Sequence, residues 1–178
     1  MLETNLTQEE FESSFTFDNF IVRDTNRFAH AASLVIAENS AYNPLVIYGP
    51  TDTGKTHLVL AIKNHIKKKH PNKKVDYVQG EKINKKIIED VKNKCCDVDV
   101  LIVDDLHLIA DEKSVKKEIF NLIEELYKKN KQIIVTLDRD IWQIKTLDEK
   151  IKSCLLNGLF ADIVPSDFKT EEILKHQA

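Results

Sequence analysis

Eight consecutive residues, Gly49-Pro50-Thr51-Asp52-Thr53-Gly54-Lys55-Thr56, carry glycines, a lysine and a hydroxyl at the spacing G-x-x-x-x-G-K-[ST]. Glycines let the main chain turn tightly, so that its N–H groups and the positive end of a following helix can surround phosphate oxygens. Lys55 can then bridge terminal phosphates, and the hydroxyl of Thr56 can ligate Mg²⁺. A second group lies downstream in Val100-Leu101-Ile102-Val103-Asp104-Asp105, an apolar run that ends in two acids. In that pattern Asp104 holds the metal, directly or through water, and Asp105 orients or deprotonates an attacking water. The plain alternative, paired acids that cap a turn, loses weight because the phosphate loop is in the same chain. A third polar group, Asp138, follows Ile133-Ile134-Val135-Thr136-Leu137 and is the candidate sensor of a γ-phosphate or of the attacking water.

Groups so far apart in sequence meet only if strands and helices bring their ends together. Leu45-Val46-Ile47-Tyr48 is a continuous apolar run that ends at a glycine, as expected of a strand buried on both faces. Helical spacing of apolar residues predicts helices over 26–38, 56–69, 83–92, 115–129 and 147–155. Further strands are expected over 75–78, 98–103, 132–136 and 161–164, a short helix over 8–12, and the start of a last helix over 170–175. Strands alternating with helices predict an α/β fold, a three-layer P-loop domain with a mostly parallel five-stranded sheet. Residues 1–15 are read as a polar lead-in and 16–178 as one nucleotide-binding domain.

Composition narrows the function classes. The chain has 178 residues, 42% hydrophobic and 31% charged, with a formal net charge of -3. That is enough for one buried core and lacks the overall basic footprint of a dedicated DNA-binding domain. The clusters Lys67-Lys68-Lys69 and Lys73-Lys74 fit solvated helix ends and turns. Cys95, Cys96 and Cys154 form neither a disulfide framework nor a zinc spacing, which suits a reducing compartment. No apolar run is long enough to span a bilayer and the start is no secretory signal, so a cytoplasmic location is expected.

Longer strings of residues resemble the AAA+ ATPase domain of the bacterial replication initiator DnaA. They are Thr16-Phe17-Asp18-Asn19-Phe20-Ile21-Val22, Asn26-Arg27-Phe28-Ala29-His30-Ala31-Ala32 and Tyr42-Asn43-Pro44-Leu45. The likeness continues through Gly54-Lys55-Thr56-His57-Leu58, Asp104-Asp105, Asp138-Arg139 and Gly158-Leu159. It implies a domain that binds ATP or ADP with Mg²⁺. Phe20, Ile21 and Val22 would lie near the adenine, and Gly49, Asp52, Thr53, Gly54, Lys55, Thr56 and His57 near the phosphates. It also implies a role in replication initiation, by ATP-dependent assembly in which an arginine of one subunit reaches the γ-phosphate of the next.

Departures from that pattern shape the rest of the expectation. Asp52 puts a carboxylate where AAA+ proteins commonly carry glycine; facing a phosphate it would cost on the order of 1 to 4 kcal/mol, and turned to solvent far less. Cys154 falls on the arginine-finger position, and a thiol supplies neither the charge nor the forked donors, so self-assembly is expected to be weakened. Glu112 and Ser114 replace basic residues, and the chain is short between Gln79 and Asp97, so single-stranded DNA binding by the usual route is not expected. The chain stops at Ala178, before the positions of the family's lid and origin-reading domain. The sequence therefore points to a nucleotide-binding regulator with a DnaA-type or helicase-type protein partner. An idle interaction module and a helicase-loader-like ATPase are the alternatives. A small-molecule kinase fits poorly, because the arginines are only Arg23, Arg27 and Arg139.

Overall fold

Side chains alternate across the short apolar strands, and both faces of the resulting sheet are covered. A computed structural model describes residues 6–94 and 97–165; the helix expected over 170–175 and the pair Cys95 and Cys96 fall outside them. The strands are β1 (Leu45–Tyr48), β2 (Val75–Gln79), β3 (Val100–Asp104), β4 (Gln132–Leu137) and β5 (Leu159–Asp162). They form one sheet in the order β2-β3-β4-β1-β5, and every pairing is parallel. The helices are α1 (Gln8–Ser13), α2 (Arg27–Asn39), α3 (Lys55–Lys69), α4 (Lys85–Lys94), α5 (Lys113–Lys128) and α6 (Glu149–Leu156).

Leu45, Ile47, Val100, Ile102 and Ile134 face α2 and α3, where Ala29, Ala32, Ile36, Leu58, Ile62 and Ile66 close the layer. Val46, Leu101, Val103, Ile133 and Val135 face the other way, against Ile88 and Val91 of α4, Ile119 and Ile123 of α5 and Ile151 and Leu155 of α6. Each such aliphatic side chain contributes roughly 1.5 to 3 kcal/mol on leaving water, so the two half-cores make the sheet a rigid platform. Among the described residues, no helix is long and apolar enough to cross a membrane.

Boundaries depart from the sequence reading where side chains cap or tie the chain. The strand expected over 98–103 begins at Val100, because the Val98 amide still donates to Lys94 at the end of α4. The helix expected from 147 begins at Glu149, after Asp148 accepts the Ile151 amide as its cap. The last strand forms at 159–162, two residues earlier than expected, where Leu159 donates to the Pro44 carbonyl and the run pairs with β1.

The lead-in contains the expected short helix, and that helix packs on the domain. Thr7 and Glu10 form a reciprocal capping box on α1. Asn64 of α3 donates to the carbonyls of Glu12 and Phe15, and Lys63 donates to the Glu12 carboxylate.

The functional ends of β1, β3 and β4 all lie at the carboxyl edge of the sheet, where the strand order reverses across β1. Gly80, just past β2, fixes how closely the β3 end approaches: a Cβ there would meet the Asp105 carbonyl oxygen at 2.0 Å. Backbone cannot yield as a flexible side chain does. Gly80→Ala is therefore expected to destabilise the protein by about 1 to 3 kcal/mol, read as a lower urea midpoint at unchanged slope.

Candidate functional site

β1 ends at Tyr48, the loop begins at Gly49, and α3 begins at Lys55. Gly54 sits at the helix start with φ 97°, a left-handed turn, and no side chain caps the first amides. Those N–H groups face the loop as an anion receptor. Lys55 is only 5% exposed, and its ammonium donates to the Pro50 carbonyl at 2.7 Å. Burial lowers its pKa, opposed by the carboxylates of Asp105, Asp104, Asp138 and Asp52. Thr53 Oγ1 donates to the same carbonyl at 2.7 Å, so one oxygen holds two loop side chains. Asp52 is exposed, and its φ of 62° is left-handed, a conformation glycine adopts without cost.

Behind the loop, Asp104 is 2% exposed and accepts three hydroxyls. Its Oδ2 receives Thr56 Oγ1 at 2.8 Å and the Tyr77 phenol at 2.9 Å, and its Oδ1 receives Thr136 Oγ1 at 2.5 Å. Thr136 Oγ1 also accepts the Asp105 amide at 2.7 Å. A carboxylate removed from water needs such donors. Burial raises the Tyr77 phenol pKa far above its ordinary value, with the Asp104 charge and hydrogen bond adding to the shift. Neither Tyr77 nor Thr136 was singled out from sequence.

Asp105 follows with a left-handed φ of 53°, and its side chain lines the cavity of Lys55 and Thr56. Burial raises its pKa, and the neighbouring Asp104 charge adds to the rise; such a carboxyl is better matched to proton transfer than an ordinary one. Asp138, at the end of β4, accepts Arg139 Nε at 2.9 Å and Nη2 at 2.6 Å, and these bonds lower its pKa. His107, also missed from sequence, brings Nε2 to 3.6 Å from Asp138 Oδ2, while its buried Nδ1 has no partner. Its signal was position alone, two residues beyond the second acid.

Two cavities meet at the loop. One, about 550 Å³, is lined by Lys55, Thr56, Asp105, His107 and Asp138, with Phe11 and Phe15 of the N-terminal segment on its wall. The other, about 480 Å³, is lined by Phe20, Ile21, Arg23, Asn26, Thr53 and Ile163. Thr51, Asp52, Gly54 and His57 line both. Phe20 stacks on His30 with ring centres 5.6 Å apart and lies edge-on to His57 at 5.1 Å. His57 Nε2 donates to the Thr16 carbonyl at 2.8 Å and to Asn19 Oδ1 at 3.0 Å, which pins the segment carrying Phe20. Val22 is exposed and lines neither cavity.

Hard oxygen donors suit Mg²⁺, which takes one or two protein ligands and fills its shell with phosphate and water. Thr56 fits this demand: its proton goes to Asp104, leaving oxygen lone pairs toward the cavity, with the Asp104 carboxylate directly behind. Together the two cavities offer a mixed pocket where Phe20, Ile21 and Ile163 stand among polar side chains, a helix start with a buried ammonium, and an acid placed behind Thr56. That is the layout of a nucleotide site.

Comparison with known proteins identifies the relatives of this arrangement. The sequence profile of the bacterial DnaA ATPase domain matches residues 11–162, most of the chain. The chain belongs to that family. Domain III of the Thermotoga maritima DnaA is 32% identical and superposes with a TM-score of 0.79, over 88% of this chain and 70% of that one. AMPPCP-bound DnaA from Aquifex aeolicus is 30% identical with a TM-score of 0.78, over 92% of this chain. The chain spans about half of that protein, 54%. The DnaC helicase loader, at 16% identity and a TM-score of 0.69, shares the fold.

Cys154, which the resemblance aligns with an arginine finger, is buried in the core formed with α5, and burial raises its thiol pKa. Lys150, one turn earlier, pairs with Glu124 at 3.0 Å. Glu112 lies 3.7 Å from Lys85, and Ser114 donates to Glu112, so these two positions present no cation. Tyr77→Phe, which keeps the ring and removes one donor to the buried Asp104, is expected to lower stability by about 1.5 to 3 kcal/mol in chemical denaturation.

Proposed function

We propose that this chain binds ATP or ADP together with Mg²⁺ and acts in the initiation of chromosome replication or its control, as at most a slow ATPase. The observation that carries this reading is the convergence of Lys55, Thr56, Asp105 and Asp138 on one cavity, with Asp104 held directly behind Thr56. Phosphates sit against the amides that open α3, and the Lys55 ammonium exchanges the Pro50 carbonyl for phosphate oxygens. Exchanging a neutral acceptor for an anionic one offsets the desolvation of a buried cation. Thr56 and Asp104 hold the metal, which neutralises phosphate charge when bound. Asp105 orients the attacking water, and Asp138 reads the terminal phosphate. The adenine occupies the pocket of Phe20 and Ile21, with the exposed Val22 at its margin.

Slow turnover follows from the α6 chemistry. A buried thiol at Cys154 cannot reach a neighbouring subunit's phosphates, so stimulation in trans by that residue is lost. The partner is a protein of the DnaA or helicase type. Its docking face is supported by a groove of about 480 Å³ lined by Lys113, Lys116, Lys117, Lys145 and Lys150. Phe120 at its base is buried and unable to stack on bases, so the groove suits carboxylates better than single-stranded DNA. An idle interaction module is the second reading, and the exposed left-handed Asp52 in the loop is what favours it.

Titration calorimetry with Mg-ATP separates the two readings: heat with saturation is expected, and none at millimolar nucleotide would leave the idle module. Lys55→Ala is expected to abolish that binding while the unfolding transition is retained; unchanged affinity would remove the loop from the account. Asp52→Gly relieves both a left-handed backbone and a nearby negative charge, so affinity should tighten on the order of threefold to tenfold.

A further inference from the structure

The N-terminal helix α1 has no buried residue, and six residues are far too few for a helix to persist alone in water. Its persistence therefore rests on its capping box and on ties to the middle of α3. Glu12 receives Lys63, and both side chains are largely withdrawn from solvent. The same Lys63 ammonium lies 5.3 Å from the centre of the Tyr77 ring. Tyr77 in turn donates to Asp104, which also receives Thr56. Asn64 holds the Glu12 and Phe15 carbonyls at 2.9 and 2.8 Å.

This fastening presents two rings. Phe11 and Phe15 meet edge-to-face at 5.1 Å, and Phe15 meets His57 at 5.0 Å. Both rings line the cavity of Lys55, Thr56, Asp105 and Asp138, and neither lines the cavity of Phe20 and Ile21. Phe11 remains 49% exposed, so its ring is not there to fill the core.

We propose that Phe11 and Phe15 are specificity-determining residues of the nucleotide site: an apolar wall, carried by α1, that closes the phosphate end and favours the triphosphate. This rests on the nucleotide-binding reading above. Water excluded by the two rings no longer screens the attraction between Lys55 and the outermost phosphate, so that attraction strengthens. A diphosphate, which ends short of that point, gains little. Lys63, which fastens α1, rests over the Tyr77 ring, and Tyr77 donates to Asp104, so the wall is linked to the metal acid through that one shared neighbour.

The test compares Mg-ATP and Mg-ADP affinities by calorimetry on the full chain, for wild type, Phe11→Ala and Glu12→Gln. Phe11→Ala is expected to weaken Mg-ATP about tenfold and Mg-ADP less than about twofold, a tenfold change being 1.4 kcal/mol. Glu12→Gln, which loosens the fastening and leaves both rings in the chain, should shift the same ratio in the same direction by a smaller factor. General destabilisation would lower both affinities together, so the ratio is the deciding readout. A wild type that binds both nucleotides, with variants of unchanged ratio, overturns the wall and leaves the nucleotide reading standing. A wild type that binds neither nucleotide overturns both.

Discussion

A single carboxylate, removed from water and satisfied by three hydroxyls, holds the site of this protein together. Asp104 ends β3; its donors come from α3, β2 and β4, so one side chain ties four elements at the edge where the phosphate loop opens. An ionised group in that position must be fully hydrogen-bonded or it would expel its charge. The demand for donors explains why Thr136 interrupts the apolar run from Ile133 to Leu137 and why Tyr77 directs its phenol inward. It also fixes Thr56, whose position sets the start of α3 relative to the sheet. The same hydroxyl that satisfies the acid is the one placed to meet a metal, so folding and ligand chemistry share one oxygen.

The strands were the most legible part of the chain. Leu45–Tyr48 lies between Pro44 and Gly49, and its bounds are those its apolar run implies. The phosphate loop, the two acids and Asp138 could be placed because each follows a buried strand, and parallel pairing brings strand ends to one edge. What sequence reading missed depends on register and long-range contact. Tyr77 matters because β2 pairs with β3 so that Tyr77 stands opposite Ile102, on the α3 side of the sheet. No local pattern announces that pairing. The docking of α1 was equally hidden, since it depends on Lys63 and Asn64, some fifty positions further along the chain. Thr136 did leave a trace, a hydroxyl at the end of Ile133-Ile134-Val135, which only a buried partner explains.

Asp52 and Cys154 are two of the expected departures from the family pattern, and each has a distinct structural setting. Asp52 adopts a backbone conformation suited to glycine and keeps its carboxylate at the surface. Cys154, expected from the resemblance to stand at an arginine-finger position, is instead part of the hydrophobic layer. Both changes alter charge and leave the layers intact, as expected when the apolar core sets the fold and a few polar atoms set the chemistry.

The two chambers beside the loop share a wall of Thr51, Asp52, Gly54 and His57. A molecule confined to either chamber would use half of what the protein offers. One that crosses the wall converts the second contact into an intramolecular event, with an effective local concentration on the order of millimolar or more for a short tether. Fragments too weak to be useful separately, one flat and aromatic, the other a compact polyanion, could thus be joined into a strong blocker. The linker would have to skirt the Phe20 ring, which packs 3.0 Å from where a side chain on Gly54 would begin.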